Sequence, residues 1–161
     1  MNKSRLVIFL GFPLIFLLIV GSFPLKKTIE GVCSRVLDGD TVIVKGQKIR
    51  LYGIDAPEKD QYSIDGYPIG QWSKDYLTKL ILNKKVKVTY YKRGYYGRII
   101  GEIFDHENIN LKMVKKGMAI VSDFTHEHLY TNTEFVARLN RVGIFGVSGF
   151  LKPSFYRKLK K

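Results

Sequence analysis

Short strand patterns separated by tight turns occupy residues 31–54, and they constrain the fold more than any other feature of the sequence. Three strands are predicted there, at residues 31–37, 41–44 and 48–54. Asp38-Gly39 and Lys45-Gly46 supply the turns, because Asp and Gly readily adopt the backbone angles that tight turns need. The region therefore predicts consecutive hairpins of a small sheet.

The remainder of the chain alternates further strands with helices. Strand patterns continue at residues 85–91, 98–104 and 118–121, and helices are predicted at residues 71–82, after Asn108, and at residues 126–142. Asn108 is a helix cap and Gly117 a helix stop, and the apolar members expected in the last helix are Leu129, Phe135, Val136 and Leu139. The pattern predicts an α+β fold, in which about five short strands close into a small barrel of the OB-fold type with about three helices at its edge.

An uncharged apolar run precedes this domain. Residues 6–25 carry no charge, and Lys3 and Arg5 stand before them. A basic start followed by an apolar stretch is typical of a secretory signal, and a helix of this length, at ~1.5 Å per residue, also just spans a hydrocarbon core of ~30 Å. Residues 1–25 are therefore interpreted as an apolar helix that is either a cleaved signal peptide or a membrane anchor. Under both interpretations we expect the rest of the chain to be exported, as a secreted, periplasmic or membrane-anchored domain.

The charge balance points to a polyanionic partner. The chain has 27 Lys and Arg against 14 Asp and Glu, a net charge of +13, which suits nucleic acid, anionic lipid or an acidic protein surface. A single cysteine, Cys33, excludes a disulfide framework and a multi-cysteine zinc ribbon. We expect Cys33 to be a buried strand residue.

The acidic residues, although fewer than the basic ones, are clustered in the sequence. Five of the fourteen acidic residues lie between residues 38 and 60, namely Asp38, Asp40, Asp55, Glu58 and Asp60. Carboxylates that converge repel one another unless a cation lies among them, and a hard divalent ion such as Ca²⁺ or Mg²⁺ prefers oxygen ligands. The alternative is that Asp38-Gly39-Asp40 is only a turn.

Two arginines accompany these acids. Arg50 lies on the strand between the two acidic turns, and Arg98 begins a later strand. Guanidinium groups and a metal ion neutralise phosphoryl oxygens, while a carboxylate can orient and deprotonate water. The combination predicts phosphodiester hydrolysis.

Three segments carry a family resemblance: residues 35–42 (RVLDGDTV), residues 49–58 (IRLYGIDAPE) and Tyr96-Gly97-Arg98. In this order they resemble the signature of staphylococcal nuclease homologues, and the similarity extends over residues 29–145. It implies an endonuclease that cleaves the P–O5′ bonds of DNA and RNA and leaves 3′-phosphates.

The resemblance also implies a role for each matching residue. Asp40, Asp55 and the backbone carbonyl of Ala56 would bind Ca²⁺, with Asp38 as a nearby acidic neighbour. Glu58 matches the general base, and Arg50 and Arg98 match the arginines that hold the phosphate. Many relatives carry Thr where this chain has Ala56, so that hydroxyl contact is absent.

Basic and aromatic residues supply candidate substrate contacts. Lys84, Lys85 and Tyr96 are assigned to nucleic-acid binding, since cations suit phosphates and rings suit bases, and Phe124 is a candidate for the aromatic nucleotide contact. The nuclease domain is expected at residues 26–150, as a monomer without a protein partner. A basic tail at residues 151–161 either adds phosphate or lipid contacts or is a flexible solubilising end.

Two functions are thus open from the sequence. The first is a Ca²⁺-dependent endonuclease acting on DNA and RNA, which would contact the membrane through residues 6–25 if that segment is not cleaved. The alternative is a non-catalytic nucleic-acid-binding domain of the same fold. The presence of the acidic and arginine motif positions favours the enzyme.

Overall fold

The computed structural model describes residues 25–94 and 97–160. Its strands are β1 (Lys27–Val36), β2 (Thr41–Val44), β3 (Gln47–Leu51), β4 (Ile54–Asp55), β5 (Lys85–Arg93), β6 (Ile99–Asp105), β7 (Glu107–Asn108) and β8 (Ile120–Val121). Its helices are α1 (Ile69–Ile81), α2 (Ile109–Lys115), α3 (His128–Leu139) and α4 (Pro153–Leu159), with a 3₁₀ turn at Gly143–Phe145. The apolar segment before Leu25 and the predicted substrate contact Tyr96 lie outside the described residues.

Five of these strands form a closed barrel. β1 pairs antiparallel with β2 and β5, β2 pairs with β3, and β5 pairs with β6. A parallel pairing of β3 with β6 closes the cylinder and places Arg50 opposite Ile100. The predicted five-stranded α+β barrel of the OB-fold type is confirmed, and closure leaves neither β3 nor β6 as a free edge.

The turn between β2 and β3 forms for the expected reason. Lys45 and Gly46 both have positive φ angles, 51° and 73°. Two consecutive positive φ angles define the type I′ turn, whose twist matches that of the strands it joins. The turn therefore sets the register of this hairpin, in which Thr41 lies opposite Arg50.

The core fills the barrel and the layer beneath the helices. Its fully buried members come from every barrel strand and from α1 and α2, and include Cys33, Val42, Val44, Ile49, Leu77, Val88, Ile99, Ile103 and Met113. Cys33 is buried on β1, as predicted. Branched aliphatic side chains dominate the core, which suits the pleated inner surface of a small barrel.

The first two helices follow the sequence pattern closely. α1 begins two residues earlier than predicted and ends one residue earlier. The Asn108 side chain accepts a hydrogen bond from the Leu111 backbone N–H at 3.1 Å and so caps α2. Gly117 follows α2 with a φ of 60°, a conformation that glycine adopts without a steric penalty.

Helix α3 is shorter than predicted and presents a different face. It spans residues 128–139 rather than 126–142, and it buries Tyr130 and Ala137. The four apolar side chains expected to pack, Leu129, Phe135, Val136 and Leu139, are exposed. The buried face of α3 packs mainly against α2 and β8, and the expectation that these four side chains would pack was wrong.

A fourth helix, α4, forms within the basic tail and was not predicted. Pro153 occupies its first turn and is buried, and proline is well suited there because its φ is already helical. No helix within residues 25–94 and 97–160 has the length and apolar character needed to cross a membrane.

Candidate active site

The barrel closure brings the two predicted arginines to one end of the molecule. Because Arg50 on β3 pairs with Ile100 on β6, Arg98, two residues before Ile100, lies at the same end of the barrel. Both arginines line a cleft of about 720 Å³, together with Asp55 and Phe124. The parallel pairing of β3 and β6 is therefore the element that assembles this site.

Arg50 joins the two acidic turns. One terminal nitrogen donates to Asp40 Oδ1, and the other donates to Asp55 Oδ1 at 2.7 Å. The Thr41 hydroxyl donates to Asp40 Oδ1 at 3.0 Å, and the Ala56 backbone N–H donates to Asp40 Oδ2 at 2.9 Å. Asp40, 3 % exposed, is thus fully engaged, as a buried carboxylate must be.

Close packing of the first turn against α1 explains the glycine in the Asp-Gly-Asp motif. A Cβ on Gly39 would lie 2.0 Å from Ser73 Oγ and 2.7 Å from the Ala56 Cβ, so any side chain would push the turn away from the helix. Asp38 Oδ1 accepts the Asp40 backbone N–H at 3.0 Å. This bond fixes the turn that aims Asp40 at Arg50.

The second acidic segment is held from both sides. Asp55 on β4 pairs with Ile120 on β8. The Glu58 backbone N–H donates to Gln61 Oε1 at 3.1 Å, and a Cβ on Gly70 would lie only 1.7 Å from the Glu58 carbonyl oxygen. The backbone that carries Glu58 is therefore seated against the start of α1, and its side chain is 38 % exposed.

Burial and charge act against each other in this corner. Burial raises the pKa of Asp40 to about 7; the positive charge of Arg50 opposes the rise, and Asp38 adds to it. Burial would lower the pKa of Arg50, but the charges of Asp40 and Asp55 outweigh burial and raise it. Arg50 therefore stays protonated, and the acidic cluster depends on nearby positive charge.

Arg157 is a site residue that sequence reasoning missed. From α4 it donates to Glu58 Oε1 at 2.6 Å and to Asp55 at 3.0 Å (Oδ2) and 3.3 Å (Oδ1). Burial would lower the pKa of Arg157, but its hydrogen bonds to Asp55 and Glu58 raise it. Arg157 is 99 residues from Glu58 in sequence, and one more cation in a basic tail carries no local signal of this contact.

The donor set in this corner fits a hard divalent cation. Asp40 and Asp55 present oxygens around one guanidinium, and Asp38 and Glu58 bring further carboxylates close to them. No three acidic, histidine or cysteine side chains in the described part of the chain are spaced to hold a metal ion. Carbonyl and water oxygens would therefore complete the coordination, as is usual for Ca²⁺ and Mg²⁺.

The predicted substrate contacts do not all reach the cleft. Lys84 pairs with Asp105 at 3.5 Å and Lys85 with Glu30 at 3.8 Å. Neither lysine lines the cleft. Lys85 begins β5, whereas the cleft lies beside the other end of that strand, where Arg93 pairs with Ile99. Phe124, by contrast, lines the cleft and is 91 % exposed.

Comparison with known proteins agrees with this geometry. The family model described as staphylococcal nuclease homologue matches residues 48–146. An uncharacterized endonuclease of Escherichia coli is 36 % identical over 151 residues, covering 89 % of this chain and 95 % of that protein. An uncharacterized endonuclease of Haemophilus influenzae is 31 % identical over 160 residues, covering 89 % of this chain and 86 % of the relative.

A more distant relative comes from yeast. The probable endonuclease LCL3 of Komagataella phaffii is 30 % identical over 125 residues, covering 70 % of this chain and 55 % of that protein. The predicted family is confirmed by these matches, and the residues matched by the family model include Arg50, Asp55, Glu58 and Arg98. This chain belongs to the staphylococcal nuclease homologue family.

Proposed function

We propose that this protein is a Ca²⁺-dependent endonuclease that hydrolyses phosphodiester bonds of DNA and RNA and leaves 3′-phosphates. The observation that carries the proposal is the joint placement of Asp40, Arg50 and Asp55 at the barrel end to which Arg98 also belongs. The family membership and the endonuclease names of the relatives support it.

Each group has a chemical task in this reaction. Asp40, Asp55 and the Ala56 carbonyl would hold Ca²⁺, which supplies positive charge close to the phosphoryl oxygens when bound. Arg50 and Arg98 would donate to those oxygens and stabilise the additional negative charge of the transition state.

The bond changes follow from the general-base role that the family resemblance gives to Glu58. Its carboxylate accepts a proton from water, and the water oxygen attacks phosphorus. The P–O5′ bond breaks, the leaving oxygen takes up a proton to become a 5′-hydroxyl, and the phosphate stays on the 3′ side. A positioned general base of this kind is worth ~10²–10⁴ in rate.

The cleft also offers a place for a nucleobase. Phe124 is almost fully exposed at the wall of the cleft, and an aromatic face stacks on any base without regard to sequence. Together with the basic charge, this supports a substrate that is single-stranded or locally unpaired.

One assay tests the proposal. Single-stranded DNA, duplex DNA and RNA are incubated with the wild type, Glu58→Gln and Glu30→Gln, in calcium or in chelator. We expect calcium-dependent cleavage that falls by ~10²–10⁴-fold in Glu58→Gln and is unchanged in Glu30→Gln, which alters an exposed acid on β1. Nucleic-acid binding without cleavage would instead establish the non-catalytic alternative.

We also propose that the domain is exported, with residues 1–25 as a signal peptide or membrane anchor. The support is the uncharged run 6–25 behind Lys3 and Arg5. N-terminal sequencing of the protein recovered from cells distinguishes the two forms. A protein found wholly in the cytoplasm with an intact N-terminus would refute export.

A further inference from the structure

Helix α4 places a charged side chain in the candidate active site, and none of the steps above uses it. The Arg157 guanidinium donates to both oxygens of Asp55 and to Glu58 Oε1. These are the side chains proposed to bind the cation and to accept the proton from water. Arg157 therefore contacts both the proposed cation ligand Asp55 and the proposed general base Glu58.

The position of Arg157 is secured by contacts on either side of it. The Tyr156 hydroxyl donates to the Asp60 carbonyl at 3.0 Å, and Gln61 Nε2 donates to the Leu151 carbonyl at 2.7 Å. Just before the helix, Lys152 pairs at 3.1 Å with Asp123, another residue that lines the cleft. Helix α4 is thus fastened both to the loop after Glu58 and to the loop after β8.

The geometry makes Arg157 and a bound cation compete. Asp55 Oδ1 already accepts from Arg50 at 2.7 Å, and Asp55 Oδ2 accepts from Arg157 at 3.0 Å. A cation that binds to Asp55 needs lone pairs on the same oxygens that now accept hydrogen bonds from the two guanidinium groups. It also adds positive charge beside Arg157, and two like charges in a partly buried corner repel each other.

Glu58 is restrained in the same way. Its Oε1 lies 2.6 Å from Arg157, the short distance typical of a charge-assisted hydrogen bond. While Oε1 accepts from the guanidinium, it is less available to accept a hydrogen bond from a water. The pairing therefore opposes the general-base role as well as the binding of a cation.

We propose that helix α4 is an autoinhibitory latch, in which Arg157 occupies Asp55 and Glu58 and is displaced when a divalent cation binds. This inference rests on the proposed function, because it assigns the cation to Asp55 and the base to Glu58. The latch raises the cation concentration at which the site becomes occupied. Binding releases Arg157 towards the cleft, where Ser154 and Arg157 of the same helix already form part of the wall.

Calorimetric titration with calcium tests the competition on the protein itself. The full chain is compared with Arg157→Gln and with Lys158→Gln, a matched control that removes the same charge from the exposed next position of α4. Arg157→Gln is expected to bind calcium about 10-fold more tightly than the wild type. Lys158→Gln is expected to change the affinity by less than about 2-fold, as one exposed charge contributes little.

Two further measurements keep the test decisive if Arg157→Gln folds poorly. Arg157→Lys keeps the charge but loses the planar fork, so its calcium affinity should fall between those of the wild type and Arg157→Gln. Amide hydrogen exchange of residues 154–159 needs no variant, and calcium should accelerate it in the wild type as the helix is released.

The outcomes separate the latch from the proposed function. Equal calcium affinity in the wild type and both Arg157 variants, or slower exchange of α4 in calcium, overturns the latch while calcium-dependent, Glu58-dependent cleavage still stands. Absence of calcium binding by all the proteins overturns the latch together with the calcium requirement of the proposed reaction.

Discussion

Arg50 and Arg98 line the same cleft, but the protein holds them in different ways. Arg50 is 22 % exposed and is bonded to Asp40 and Asp55. Arg98 has a buried Nε atom without a hydrogen-bond partner in the described part of the chain. Arg50 is thus fixed by two carboxylates of the site, whereas Arg98 forms no ion pair with any described residue.

The largest effect expected from this comparison is the effect of replacing Arg98 on the cleavage rate. Arg98→Lys keeps the charge but loses the guanidinium fork, so we expect the cleavage rate to fall by about 10³-fold or more. Stability should change by less than ~0.5 kcal/mol, because no carboxylate loses a partner. Single-turnover cleavage and denaturant unfolding measure the two effects, with the exposed Arg35→Lys on β1 as the control. A large loss of stability in Arg98→Lys would remove the contrast with Arg50.

Arg50 should affect the rate and the stability together. Arg50→Gln leaves Asp40 without its guanidinium partner in a buried site, and we expect a loss of about 3 kcal/mol in the free energy of unfolding besides the loss of rate. Urea unfolding in chelator measures this, and calcium should restore part of the stability through binding to the folded state. Unchanged stability in chelator would show that the ion pair with Asp40 contributes nothing to folding.

Phe124 extends the comparison to the substrate-facing side of the cleft. Phe124→Ala should weaken the binding of single-stranded DNA by about tenfold, since stacking on one base is worth ~1–3 kcal/mol. Stability should not fall, because the ring is 91 % exposed. Equilibrium binding to the Glu58→Gln protein isolates the effect from cleavage. Leu129→Ala, at an exposed apolar position on α3, serves as the control.

The smallest effect is expected at Lys84 and Lys85. Like Arg50 they have acidic partners of their own, Asp105 and Glu30, but they lie at or just before the start of β5 and do not line the cleft. Replacing both with Gln should change the cleavage rate by no more than about twofold. The slope of the logarithm of the binding constant against the logarithm of the salt concentration should fall by less than ~1 for each lysine, which is the change expected when a direct phosphate contact is lost. A decrease of about 2 in that slope would instead place the nucleic acid along β5.

Much of the fold was accessible from the sequence because its signals are local. The Lys45-Gly46 turn, the Asn108 cap and the Gly117 stop each depend on the backbone preference of one or two residues. The strand bounds agree to within a few residues for the same reason. Helix α3 is the exception: its apolar residues indicate amphipathic character, but only the shape of the barrel decides which stripe is buried.

The candidate site was accessible only in part. The acidic turns and both arginines could be named, since the motifs that carry them are short and contiguous. Their meeting depends on the parallel pairing of β3 with β6, which joins residues about fifty positions apart. The sequence could not show which lysines lie near the cleft, because a lysine pattern along β5 does not reveal which end of the strand faces the cleft.

The sequence alone determined that this chain forms a small β-barrel of the staphylococcal nuclease homologue family and which acids and arginines belong to its motifs. These properties depend on short segments, because turn residues, helix caps and the alternation of apolar and polar residues each act over a few positions. Only the tertiary structure decided that Arg157, 102 residues from Asp55, enters the same corner. A contact of that separation is set by how α4 packs beside the cleft, and a basic tail would have the same composition whether or not it reached the site.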